Sequence, residues 1–185
     1  LRKAEECSRR GNHSEAIDYY EKARNGANNS VVLILIAKEY EAMGNYNYAL
    51  TYWKNLCNRF SMIHDVFEGH ANLAYRMGEY EEAITSYKKA LNIIENSYSK
   101  SPVKISKLNE DIAISYQALG RPHTAETYQK RAEEVLKNYI DEMRVLADEN
   151  FDEGNFSRAG TYYHRILKVD PNNVEVRKKF KHCDR

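Results

Sequence analysis

The stretch GEYEEAITSYKKAL, residues 78–91, has an outline that returns four more times in the chain. Each copy begins with a glycine and carries an alanine five residues later, and four of the five copies carry an aromatic residue nine positions after the glycine. The other copies are GNHSEAIDYYEKA from Gly11, GNYNYALTYWKNL from Gly44, GRPHTAETYQKRA from Gly120 and GNFSRAGTYYHRI from Gly154. Such a motif, recurring at intervals of 33, 34, 42 and 34 residues, predicts an array of structural repeats.

The residues that precede each glycine follow a pattern as well. An alanine stands seven residues before every one of the five glycines, and apolar residues recur between glycines at steps of three and four, the period of an α-helix. The pattern predicts two helices per repeat, joined at the glycine by a turn whose left-handed backbone a Cβ would penalise. The alanines then lie where the two helices cross, because a methyl group lets helix backbones approach closely. The aromatic residue fills the space between repeats.

This skeleton of alanine, glycine and aromatic residues, closed by DPNN at residues 170–173, resembles the tetratricopeptide repeat family over essentially the whole chain. The resemblance implies an all-α fold, a right-handed superhelical solenoid of about five helix-turn-helix repeats with a C-terminal capping helix. The first repeat lacks most of its first helix, which suggests that the chain is part of a longer protein. The expected repeats are about 1–29, 30–63, 64–99, 102–138 and 139–172, and the expected capping helix is about 173–183.

The 42-residue interval indicates two lengthened helices. We expect them to meet at a turn containing Ser99 to Ser101, with Ser101 as N-cap and Pro102 at the first helical position. The segment KSPVK, residues 100–104, also matches the Ser-Pro-x-Lys pattern favoured by proline-directed kinases. Ser101 is therefore a candidate phosphosite, although its capping role accounts for the same residues.

The boundary between repeats four and five carries a weaker signal. The segment TYQKRAEEVLKNYIDEMRVLADENF contains neither Gly nor Pro. The 34-residue spacing nevertheless predicts a break near Asn138, because asparagine tolerates left-handed geometry. A single continuous helix from about Thr124 to Phe151 is the alternative.

Composition and motifs argue against several functions. The 28 Lys and Arg residues nearly balance the 27 Asp and Glu residues, so we expect no nucleic-acid partner. The longest apolar run, Val31 to Ala37, is far shorter than the ~20 residues of a membrane span. No HExxH, GxSxG, Gly-rich phosphate loop or Cys/His metal spacing is present, so we predict no catalysis, no metal and no cofactor. Three cysteines without CxxC spacing fit a reducing compartment and a cytoplasmic location.

The resemblance also implies where a partner binds. In the family, the first helices line a concave groove through residues ten, six, three and two positions before the glycine. Any single residue at these positions could instead belong to an ordinary solvated face. Five of the positions hold Ile34, Ala42, Ile114, Ala118 and Asp152. The predicted peptide-binding residues are Lys38, Glu41, Glu68, Asn72, Tyr75, Arg76, Glu110, Gln117, Arg144, Asp148 and Phe151. When further positions of the first helices are included, the groove carries eight acidic residues and four basic ones. We therefore expect a partner with basic residues.

The function that follows from the resemblance is a non-catalytic protein–protein interaction module, an adaptor or scaffold that binds a partner peptide or helix in the groove. One alternative is a structural scaffold that self-associates, or packs into a complex, through its convex face and ends. Another is a regulatory arm of an enzyme whose catalytic domain lies outside this sequence. Chaperone C-terminal tails are improbable ligands, because Glu68 stands where the family's carboxylate clamp has the lysine that accompanies Asn72.

Overall fold

The protein is an all-helical, right-handed superhelical solenoid. The computed structural model describes residues 1–23 and 29–183, which form ten helices and no strand. Residues 24–28, which end just before the expected boundary between the first two repeats at about residue 29, lie outside the described residues. The helices are α1 (Arg2–Arg9), α2 (His13–Ala23), α3 (Ser30–Ala42), α4 (Tyr46–Arg59), α5 (His64–Arg76), α6 (Tyr80–Glu95), α7 (Pro102–Ala118), α8 (Pro122–Asp152), α9 (Phe156–Val169) and α10 (Val174–Cys183).

Successive helices pack as antiparallel pairs that turn at the repeat glycines. All five glycines have a positive φ, between 75° and 84°, which confirms the left-handed turn that the spacing predicted. Both alanine series are buried, with side chains no more than 4% exposed. The methyl groups therefore lie at the helix crossings, as the pattern predicted.

The lengthened third and fourth repeats are also confirmed. Helix α6 has 16 residues, against 14 in the second helices α4 and α9, and α7 has 17, against 13 in the first helices α3 and α5. Ser101 is extended, with φ −107° and ψ 102°, and its hydroxyl accepts a hydrogen bond from the backbone N–H of Lys104 at 3.4 Å. Pro102 occupies the first turn, where its missing N–H has no cost.

The predicted break near Asn138 is wrong, because α8 is one helix of 31 residues. No Gly or Pro interrupts the segment, so nothing in the local sequence ends the helix. Tertiary contacts support both halves. The Ser106 hydroxyl of α7 donates to the carbonyl oxygen of Ala132 at 2.9 Å, and the Tyr163 hydroxyl of α9 donates to Asp148. The boundary between repeats four and five therefore lies within a helix.

Three hydrophobic clusters fill the described part of the solenoid. The first joins α1 to α5 around Trp53, and the second joins α5 to α8 around Tyr87. The third is formed by α8, α9 and α10 around Tyr163. Because α8 contributes Ala125 to the second cluster and Met143 to the third, it connects them. None of the helices within these ranges has both the length and the apolar composition needed to cross a membrane.

Candidate peptide-binding groove

A cavity of about 410 Å³ lies among three first helices, α3, α5 and α7. Helix α3 contributes mainly apolar side chains, whereas α5 and α7 contribute mainly charged and polar ones. The lining residues are Val31, Ile34, Leu35, Lys38, Asp65, Glu68, Gly69, Asn72 and Lys104. The structure thus brings together Lys38, Glu68 and Asn72 of the predicted set, while Val31, Leu35 and Lys104 were missed.

The apolar wall arises from the composition of α3. Val32, Leu33 and Ile36 are buried in the first cluster, yet the helix carries further aliphatic residues on other faces. Val31 is 63% exposed. A helix that is apolar all round is usually buried on all sides, so the uninterrupted run in this segment was the available sign of a second contact surface.

Lys104 joins α7 to the acidic wall. Its ammonium group lies 2.7 Å from Asp65 Oδ1 and 2.9 Å from Glu68 Oε2. Burial raises the pKa of Asp65, but the hydrogen bond and charge of Lys104 outweigh burial and hold that pKa below its usual value. Lys104 escaped the sequence prediction because the additional turn of α7 places it sixteen residues before Gly120, beyond the groove positions of a regular repeat.

One group of potential metal ligands lies at the acidic wall. His64, Asp65 and Glu68 place one potential ligand atom each within 4.8 Å of one another. The Lys104 ammonium already binds both carboxylates, so a metal ion would have to displace it.

Several predicted groove residues serve as partners for the buried aromatic residues of the second helices. Tyrosine and tryptophan carry a polar group that needs a hydrogen-bond acceptor when the ring is buried. First-helix side chains supply that acceptor. The pairs are Trp53 with Glu41 at 2.7 Å, Tyr87 with Asn72 at 2.6 Å, and Tyr163 with Asp148. These three groove positions therefore stabilise the repeats themselves. The excess of 15 tyrosines over 5 phenylalanines was the sign in the sequence that buried aromatic residues need such acceptors.

Arg76 stabilises the contact between repeats two and three. Its Nη1 donates to Glu41 Oε2 at 2.9 Å, and its guanidinium lies 5.1 Å from the centre of the Tyr46 ring. Tyr75 is half-buried, with its ring centre 5.4 Å from that of Tyr80. Arg76 and Tyr75 thus have partners within the chain, which limits their freedom to contact a ligand.

The predicted residues of repeat four lie beside a different cavity. Gln117 and the half-exposed Ile114 line a space of about 390 Å³ between α7 and the first half of α8. In a regular array the next first helix would lie here, but α8 continues as one helix from Pro122 to Asp152. Glu110 is half-buried. The pKa of the neighbouring Asp111 is raised to about 6, mainly by burial. Lys107 partly offsets this rise, and the negative charges of Glu68 and Glu110 add to it.

The predicted residues of repeat five lie against the capping helix. Lys179 of α10 places its ammonium 2.9 Å from Asp148 Oδ1, and the Phe151 ring lies 5.4 Å from that of His182. Arg144 Nε is buried and has no hydrogen-bond partner among the described residues. The eleven predicted residues therefore do not all line one cavity, and the cavity at α3, α5 and α7, which three of them line, is the strongest candidate site.

Comparison with known proteins agrees with this architecture. Residues 62–138 match the family model described as tetratricopeptide repeat. The human antiviral innate immune response effector IFIT1 is 28% identical in a region that covers 57% of this chain and 26% of IFIT1. The chain thus spans about a quarter of the length of that relative.

Solved structures share the fold. A thermophilic TPR protein of Thermus thermophilus aligns over 99% of this chain and 96% of its own, with 18% identity and a TM-score of 0.56. MamA aligns over 93% of this chain and 96% of its own, with 16% identity and a TM-score of 0.60. The family model thus covers the central repeats, and the same helix-turn-helix unit is present on either side of them.

Proposed function

We propose that this chain is an adaptor module whose groove between α3, α5 and α7 binds an extended or helical segment of a partner protein. Tetratricopeptide repeats are in general non-catalytic protein–protein interaction modules, which supports the class of function. The observation that carries the proposal is a cavity in which the apolar face of α3 lies opposite charged and polar side chains of α5 and α7. Exposed apolar surface next to polar groups is typical of interaction sites. The cytoplasmic location and the lack of a cofactor stay predictions.

The charges of the groove favour a partner with basic residues, by a small margin. Four acidic side chains on α5 and α7 lie near three basic ones, including Lys104, which the sequence prediction did not count. Charge in such a solvated groove mainly speeds and orients binding, whereas apolar anchors slow dissociation. Asp65, Glu68, Lys38 and Lys104 line the cavity. The acidic Glu110 and Asp111 and the basic Lys107 lie on α7 beside it. We therefore expect a ligand with an aliphatic anchor for the α3 wall and a neighbouring Lys or Arg.

Selection from a library of displayed peptides, with the full chain as bait, tests this proposal. We expect the selected peptides to share an aliphatic residue and a nearby basic residue. Val31→Glu should weaken their binding about tenfold or more, because it places a charge on the apolar wall. Val145→Glu is the matched control, since Val145 is similarly exposed, at 56%, but lies on α8 away from the cavity.

Equal binding by the wild type and Val31→Glu, or equal loss in both variants, would contradict the proposal. Self-association through the convex face and ends makes a different prediction. In that case light scattering should show a mass that rises with concentration and does not respond to Val31→Glu.

Binding of a basic peptide should strengthen between pH 5 and pH 7. The pKa of Asp111 is about 6, so this carboxyl is largely protonated at pH 5 and largely charged at pH 7. One additional negative charge near the groove should improve affinity about two- to fivefold. Fluorescence anisotropy at several pH values measures it. Histidines change charge over the same range, so Asp111→Asn is the control, and an identical pH profile in that variant would rule out Asp111 as the cause.

A further inference from the structure

We propose that Ser101 is a phosphorylation site for a proline-directed kinase, and that its phosphate draws Lys104 away from Asp65 and Glu68. The groove side of α5 would then carry more negative charge. The consequence for ligand binding rests on the proposed function, whereas the modification and the movement of Lys104 do not.

Ser101 is accessible in the form that such a kinase requires. It is exposed, follows a non-helical turn at residues 96–100, and has an extended backbone immediately before Pro102. The kinase would transfer the γ-phosphoryl group of ATP to Ser101 Oγ, with ADP as the leaving group and the hydroxyl proton passing to the catalytic base of the kinase.

A phosphate at this position is compatible with the fold. Ser101 is the N-cap of α7, where the free N–H groups and the positive end of the helix dipole favour negative charge. The backbone N–H of Lys104 already points to Ser101 Oγ at 3.4 Å. Phosphorylation should therefore leave α7 folded.

Lys104 is the residue through which the modification reaches the groove. Its ammonium now lies between Asp65 and Glu68, at 2.7 and 2.9 Å. The backbone N–H of Lys104 bonds the Ser101 hydroxyl, so the two residues lie close together. The flexible lysine side chain is therefore long enough to turn back to a phosphate on Ser101. A phosphate carries a charge of about −1.5 to −2 at neutral pH, comparable to that of the two carboxylates together. The ammonium should thus be shared between the phosphate and the carboxylates, or leave the carboxylates.

The test combines phosphorylation with a measurement that needs no ligand. The full chain is incubated with ATP and a proline-directed kinase that phosphorylates a synthetic peptide of residues 96–108. Mass spectrometry then locates the modification, and NMR follows the side-chain carboxyl of Asp65 through a pH titration. We expect the pKa of Asp65 to rise on phosphorylation, because Lys104 makes the largest of the contributions that lower it. Lys104→Met alone should raise that pKa as well.

Two controls isolate the route through Lys104. Phosphorylation of Lys104→Met should change the pKa of Asp65 much less than phosphorylation of the wild type does. Lys107→Met removes an exposed lysine three residues further along α7 and should leave the effect of phosphorylation intact. An equal rise with and without Lys104 would overturn the proposed movement, since the phosphate would then act directly on Asp65.

Other outcomes also decide the matter. If the kinase modifies the peptide but not Ser101 in the folded chain, or if modification leaves the pKa of Asp65 unchanged, the proposal is wrong. Binding of a selected basic peptide should improve about two- to tenfold on phosphorylation. A changed Asp65 titration without any change in affinity would leave the Lys104 coupling standing and instead count against the proposed groove function.

Discussion

Replacing Asn138 by proline should lower the free energy of unfolding by about 3 kcal/mol or more. Asn138 is an exposed residue in the middle of α8, so its side chain contributes little packing. A proline ring there would clash with the preceding turn and remove a backbone hydrogen bond. Because α8 connects the second and third hydrophobic clusters, we also expect the C-terminal helices to unfold at a lower denaturant concentration than the rest.

Urea unfolding followed by circular dichroism measures this effect. Asn138→Ala is the control, and it should be as stable as the wild type or slightly more stable, because alanine has the higher helix propensity. A turn at this position, which the repeat spacing predicts, would behave differently. Proline could then be accepted without loss of a helical hydrogen bond, so an unchanged stability for Asn138→Pro would argue against the continuous helix.

Gly69→Ala should destabilise the protein by about 1–3 kcal/mol, although alanine is the better helix former. A Cβ on Gly69 would lie 2.3 to 2.7 Å from three carbon atoms of the Trp53 ring. Trp53 is completely buried, and its Nε1 donates to Glu41 at 2.7 Å. The indole therefore cannot move aside without losing that hydrogen bond and the packing of the first cluster. α5 or the ring must shift instead.

Gly160→Ala provides a matched comparison within another helix. There a Cβ would meet Cys183 Cβ at 3.3 Å and Phe180 Cε2 at 3.9 Å, both in α10, which can move by a few tenths of an ångström. We expect Gly160→Ala to stay within about 0.5 kcal/mol of the wild type, since the gain in helix propensity offsets the strain. Trp53 is the single tryptophan, so its fluorescence reports unfolding and any ring displacement. Equal stability of the two variants would refute the close approach at Gly69.

The candidate site was predictable only in part. The resemblance to the tetratricopeptide repeat family implied that Lys38, Glu68 and Asn72 lie in the groove, and the structure brings them to one cavity. The sequence did not reveal that Asn72 accepts a hydrogen bond from the Tyr87 hydroxyl, nor that Lys104 forms an ion pair with Glu68. Both contacts join residues on different helices, and their geometry depends on how long the helices are and how they cross.

The sequence by itself determined the repeat architecture. The glycine at each turn and the alanine at each crossing act through local conformation and short-range periodicity, which are properties of the segment in which they stand. The N-cap at Ser101 followed from the same kind of signal. Each of these features needs no information about distant parts of the chain.

Only the tertiary structure decided the course of α8 and the composition of the groove. Repeat spacing predicted a turn at Asn138, but the helix-forming residues on both sides propagate the helix, and α7 and α9 support it along its length. The apolar wall of α3 remains open to a cavity because of where α5 and α7 lie. Such outcomes depend on the sum of packing between helices, which periodicity within a single helix does not contain.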